Sequence, residues 1–149
     1  VGGFDGLLLV TTCDGGYGCG AHGNVDCSFM TVSFGREASL DLDAINKALE
    51  IEPDNVDAWI NKGYLMYKLQ RYDDAVSCST RAIEFEPTSA IAWFNRACFY
   101  AVMGDRDRAL SDLAEAIRLD PANRADARTD EALAALRDDP DFKKLIDLP

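Results

Sequence analysis

The chain has 149 residues, 48% of them hydrophobic and 28% charged, with a formal net charge of −11. That balance describes a globular chain of one domain, and its acidity disfavours nucleic acid and anionic membrane surfaces, whose phosphates need clustered Lys and Arg. No apolar run approaches the ~18 residues of a membrane span, so no membrane insertion is expected.

Residues 1–35 stand apart from the rest. Nine of the eleven glycines lie there, and neither Lys nor Arg does. Val1 in place of a methionine reads as the start of a processed or trimmed chain, and no basic region precedes the first apolar run as a signal peptide would require. Two β-prone runs, residues 6–12 and 28–34, flank the glycine-rich stretch DGGYGCGAHGNVD. Cys13 ends the first run and Cys27 opens the second, which suggests a hairpin closed at its base. A lone hairpin is marginal in water, and this one presents Leu7, Leu8, Leu9, Val10, Phe29, Met30, Val32 and Phe34. A docking or assembly role for residues 1–35 follows, either on the same chain or on a neighbouring copy.

Over residues 45–121 the chain repeats itself with a step of 34. Ala48, Ala82 and Ala116 share one register; Pro53, Pro87 and Pro121 share another; Trp59 matches Trp93, Gly63 matches Ala97 and Ala75 matches Ala109. The small residues let two helices approach closely, large apolar residues fill the space between, and each proline stops a helix. Helices are expected over 37–51, 55–69, 72–85, 89–103, 106–119 and 124–137, with a short last one over 140–147. One such hairpin cannot bury its apolar face alone, so neighbours must stack. In the last helix Phe142, Leu145 and Ile146 are expected to pack down, while Arg137, Asp138, Asp139, Lys143 and Lys144 face solvent.

The pattern VDAWINKGYLMYKLQRYDDAVSCSTRAIEFEPT, followed by AIAWFNRACFYAVMGDRDRALSDLAEAIRLDPA, resembles the tetratricopeptide repeat (TPR) family over residues 36–147. The resemblance implies a mainly α fold, an α-solenoid of helix–turn–helix repeats preceded by a short β or irregular Gly- and Cys-rich segment. It divides the array into the second helix of a partial unit at 36–53, repeats at 55–88 and 89–122, and capping helices at 124–147. Where the first unit's leading helix should stand, the sequence reads HGNVDCSFMTVSFG, and Asp41 replaces the alanine expected at the helix crossing. The stack therefore starts on an uncovered helix, and head-to-tail contacts that do not close give filaments.

In TPR proteins the first helix of each pair lines a concave face that holds extended peptides. The resemblance places Asn61 and Asn95 there, one repeat apart, with Ile60, Tyr64, Tyr67, Ile91, Phe94 and Cys98 around them. An amide both donates and accepts, so it can hold a peptide backbone of any sequence. The family's variant that clamps chaperone carboxylates uses Lys, Asn and Arg at positions that here are Asp26, Met30, Ile91 and Asn95, with Asn61 alone agreeing. That role is not expected, and the groove suits an apolar strand such as Leu7 to Thr12.

Cys13, Cys19, His22 and Cys27 have a C-x5-C-x2-H-x4-C spacing that could supply four zinc ligands but lacks paired C-x2-C knuckles. A Cys13–Cys27 disulfide in an oxidising compartment and plain free thiols are the alternatives. Such a disulfide would place the chain outside the cell; otherwise a cytoplasmic location is expected. Cys78 and Cys98 fall inside helices, where a buried free thiol is the usual reading. His22 is the only histidine, and no nucleophile elbow, phosphate loop or zinc-helix motif occurs. The expectation is a non-enzymatic interaction scaffold, without cofactor, that self-associates through its N-terminal segment. The rivals are a monomeric adaptor taking a foreign extended peptide, and a zinc or redox module in the Cys13–Cys27 loop.

Overall fold

A computed structural model describes residues 36–147, with side chains from Leu42 onward. The two expected strands, the assembly residues between Leu7 and Phe34, the Cys13–Cys27 pair and the zinc set with Cys19 and His22 all lie outside the described residues. The described chain forms seven α-helices and one 3-10 segment. They are α1 (Arg36–Ile51), α2 (Val56–Lys68), α3 (Tyr72–Phe85), α4 (Ala90–Met103), α5 (Arg106–Leu119), α6 (Asn123–Thr129), the 3-10 segment Glu131–Leu136 and α7 (Pro140–Asp147). Among the described residues there is no strand.

The 34-residue step is visible in the hydrogen bonds that start and stop each helix. Glu52, Glu86 and Asp120 donate their backbone N–H to Ala48, Ala82 and Ala116 at 2.8, 2.8 and 2.9 Å. The proline that follows each cannot continue the ladder. The indole Nε1–H of Trp59 reaches back to the carbonyl of Pro53 at 2.8 Å, and that of Trp93 to Pro87 at 2.9 Å. Each tryptophan thereby ties the first helix of a pair to the turn before it. Asn55 caps α2 by accepting from the Ala58 N–H at 2.9 Å, which satisfies one of the orphan donors of the first turn.

Within each pair the turn is a Schellman arrangement. Arg71 N–H donates to Met66 C=O at 2.8 Å and Asp105 N–H to Tyr100 C=O at 2.9 Å. The turn needs one residue with positive φ. Gly104 supplies it at φ 82°, and Gln70, one repeat earlier, adopts φ 59° at the same place. Glycine adopts that region without steric cost, whereas glutamine does not.

Two hairpins, α2–α3 and α4–α5, stack through α3 against α4, with α1 lying on α2. The close approach rests on small residues, since Ala75, Ala82, Ala97, Ala109 and Ala116 are fully buried. At Gly63 a Cβ would stand 3.3 Å from the Ala75 carbonyl oxygen and 3.4 Å from Cys78 Cβ, so even alanine needs its neighbours to shift by a few tenths of an ångström, and anything larger needs more. Phe94, Phe99, Leu113, Leu133 and Phe142 fill the layer between helices.

The expected sixth helix is not continuous. Asp130 leaves the helix with ψ 126°, and its carboxylate accepts from the Ala132 N–H at 2.9 Å, which starts a new turn. The bend carries Ala132, Leu133 and Leu136 into the core beside α4. An unbroken helix would have pointed part of that apolar set at solvent. Asp139 also differs from expectation: it is drawn out of solvent by Arg106 of α5, which donates to both its oxygens and to Asp141 at 2.6 Å. Phe142, Leu145 and Ile146 pack inward as expected, and Arg124 and Arg128 of α6 donate to the carbonyls of Leu145 and Ile146. The C-terminal end of the array is thus closed by apolar packing and a forked arginine.

Candidate functional site

The residues expected on the concave face sit on α2 and α4, whose helices touch one another. Their exposure is low. Phe94 and Cys98 are fully buried, Asn95 is 3% exposed, Ile60 4% and Asn61 8%. Tyr64, Tyr67 and Ile91 are half-buried. The two asparagines are therefore nearly closed to solvent.

Tyr67 is stacked on Phe99 with ring centroids 5.3 Å apart and lies 5.9 Å from Tyr72 of α3. The Lys68 ammonium stands 5.3 Å from the Tyr64 ring and 5.9 Å from that of Tyr67, within cation–π range. Burial pushes both phenols above the ordinary tyrosine range, and the negative field of Asp130 adds to it. The Asp130 carboxylate is thus close enough to the tyrosines of α2 to act on both electrostatically.

A second polar constellation lies between the helices and was not anticipated. The Arg96 guanidinium holds Asp112 through two bonds, 2.7 Å from Nε and 3.0 Å from Nη2, and gives a third to Thr80 at 3.1 Å. The pair is mostly buried, with side-chain exposures of 15% and 8%, and the guanidinium lies 4.8 Å from the Trp93 ring. It joins α3, α4 and α5 at one point. The signal was in the sequence: Thr80, Arg96 and Asp112 are spaced at 16 and 16, a step that crosses successive helices at the same height.

Cys78 is a buried free thiol, as expected, and burial pushes it up to about 11, well away from a reactive thiolate. Cys98 departs from the free thiol expected of it, since it is disulfide-bonded. No group of three or more His, Cys, Asp or Glu side chains that could hold a metal occurs among the described residues. No helix among them is long and apolar enough to cross a membrane.

Comparison with known proteins agrees with this architecture. Residues 44–77 and 90–123 each match the tetratricopeptide repeat family. The first match straddles α1 to α3 and the second covers α4, α5 and the turn after them. No curated protein matches the chain. Among solved structures, a mutant of the Thermobaculum terrenum O-GlcNAc transferase is 26% identical over 68% of this chain, with a TM-score of 0.60. The chain spans only 19% of that transferase. The crystal structure of MamA superposes over 80% of this chain and 67% of its own with a TM-score of 0.65 at 15% identity, a likeness of fold alone. The helix pairs, their 34-residue step and the two matched repeats together assign the chain to the tetratricopeptide repeat family.

Proposed function

We propose that this protein is a non-catalytic scaffold for protein–protein interaction whose N-terminal end, α1 together with residues 1–35, binds further copies of the same chain. The repeat family supports the general role. The observation that favours self-association is the contrast between the two ends of the stack. The C-terminal end is finished by α6, the 3-10 segment and α7, fixed by Phe142 and by the Arg106 fork. The other end begins on α1, whose main partner among the described residues is α2 alone, and Ile51 at its terminus is 75% exposed. A terminal helix that leaves apolar surface exposed can be completed by stacking against another chain.

The rival reading is a monomeric adaptor whose N-terminal segment folds back on its own chain while its groove takes a foreign peptide, a role the repeat family equally supports. Light scattering across a concentration series separates the two. Self-association predicts a mass that rises with concentration and returns to one chain in a Leu8→Asp, Val10→Asp variant. A single-chain mass at every concentration would leave the fold-back adaptor.

A further inference from the structure

The three residues that build the buried ion pair of α3, α4 and α5 have exact register partners one repeat earlier. Thr80, Arg96 and Asp112 correspond to Asn46, Lys62 and Cys78 on α1, α2 and α3. The cation is kept, as lysine, and so is the uncharged hydrogen-bonding residue, as asparagine. The carboxylate is not. Where Asp112 closes the later set, Cys78 offers a neutral thiol, and Lys62 makes no ion pair among the described residues; its ammonium rests 5.4 Å from the Trp59 ring.

A cavity of about 410 Å³ opens at this place, between α1 and α3 with α2 as its floor. Its wall includes Asn46, Trp59, Lys62, Arg71, Cys78 and Arg81. Arg71 is matched by Asp74 at 2.7 Å, and Arg81 by Glu84 at 2.8 Å while lying 5.8 Å from Trp59. Three cations thus face one cavity, whose only acidic wall residue among the described ones is Asp74, in a chain of net charge −11. The volume is that of a small-ligand site, and part of its wall is aromatic and aliphatic.

We infer that the α1–α2–α3 cavity is a binding site for a carboxylate, which takes the place that the Asp112 carboxylate holds one repeat later. Lys62 supplies the charge, Asn46 an amide donor, and Trp59 an apolar wall for the body that carries the carboxylate. The carboxylate can belong to a small organic acid or to an acidic side chain of a protein partner, and the site chemistry is the same for both. The cavity lies among α1, α2 and α3 and makes no use of the α4 residues of the concave face.

The test uses the full chain and two probes, succinate and a capped peptide of Gly and Glu, each titrated against chloride at equal ionic strength. The Trp59 indole N–H resonance is the local reporter, and Trp93 serves as the internal control. The inference predicts saturable binding of at least one probe at millimolar concentration, moving Trp59 and not Trp93. The probe that binds more tightly identifies the source. Cys78→Asp restores the missing carboxylate and is expected to weaken binding at least tenfold, whereas Cys78→Ala leaves it within about threefold. Lys62→Gln abolishes it. No saturable Trp59 shift with either probe, or equal binding by the wild type and Cys78→Asp, would overturn the assignment; should Cys78→Asp fail to fold, Lys62→Gln decides alone.

Discussion

Removing the Asp112 carboxylate gives a demanding test of the packing described above. In Asp112→Ala the Arg96 guanidinium would keep its charge, lose two of its three hydrogen bonds and stay mostly buried, with the Thr80 hydroxyl as its remaining partner. Breaking one side of a buried pair costs about 3–5 kcal/mol. Arg96 is 15% exposed and can still lie on Trp93, so the low end applies, about 3 kcal/mol. For a chain of this size that corresponds to a fall in Tm of roughly 9 °C. The double variant Arg96→Met, Asp112→Ala removes the stranded charge and should recover most of the loss, because a buried ion pair adds little over an apolar replacement. Urea unfolding followed by circular dichroism measures all three proteins. A loss below about 1 kcal/mol in the single variant, or a double variant no better than the single, would refute the claim that this pair is desolvated and joins three helices.

The turn between paired helices offers a reciprocal test, since Gln70 and Gly104 occupy the same left-handed position. Gln70→Gly should stabilise by roughly 0.5–1 kcal/mol, and Gly104→Ala should destabilise by a similar amount, read as shifts of the urea midpoint. No atom lies within 4 Å of a Cβ at Gly104, so the cost there is backbone strain without a clash. At Gly63 the limit is space instead: Gly63→Ala, the residue its repeat partner carries, should stay within about 1 kcal/mol of the wild type, while Gly63→Leu should unfold the α2–α3 hairpin. The carboxyl of Asp139 is held down to about 2 by the Arg106 guanidinium and by the Asp141 and Phe142 N–H groups. A depressed carboxyl contributes stability that is complete above its unfolded value of ~3.9 and disappears as pH falls through about 2. The Phe142 amide resonance should titrate with the lower midpoint and move toward ~4 in Arg106→Ala.

Much of this architecture is legible in the residues. The alanine, tryptophan and proline registers place the first five helices to within a residue or two, because small residues and helix stops are needed wherever helices cross and turn. The break at Asp130 was not legible. A run of Ala, Leu, Arg and Asp satisfies a helix period, and nothing local reveals that its carboxylate will cap Ala132 so that Leu133 and Leu136 can reach α4. Asp139 looked like a solvent-facing acid because its partner, Arg106, lies 33 residues away on another helix. The residues expected on the concave face were readable by their register on α2 and α4, but the 34-residue step carries no information on how deeply each is buried. The Thr80–Arg96–Asp112 set and its altered copy at Asn46, Lys62 and Cys78 were available in the 34-residue overlay. Registers of small and apolar residues alone do not reveal them, because charged residues on a helix ordinarily face solvent.

The claim that copies meet at the N-terminal end is tested most directly by hydrogen–deuterium exchange of the full chain at low and high protein concentration, read peptide by peptide. The account predicts that amide protection in α1, around Ile45 to Ile51, rises with concentration while α5 and α7 stay unchanged. Protection in α1 that does not depend on concentration, or a rise confined to α7, would contradict it.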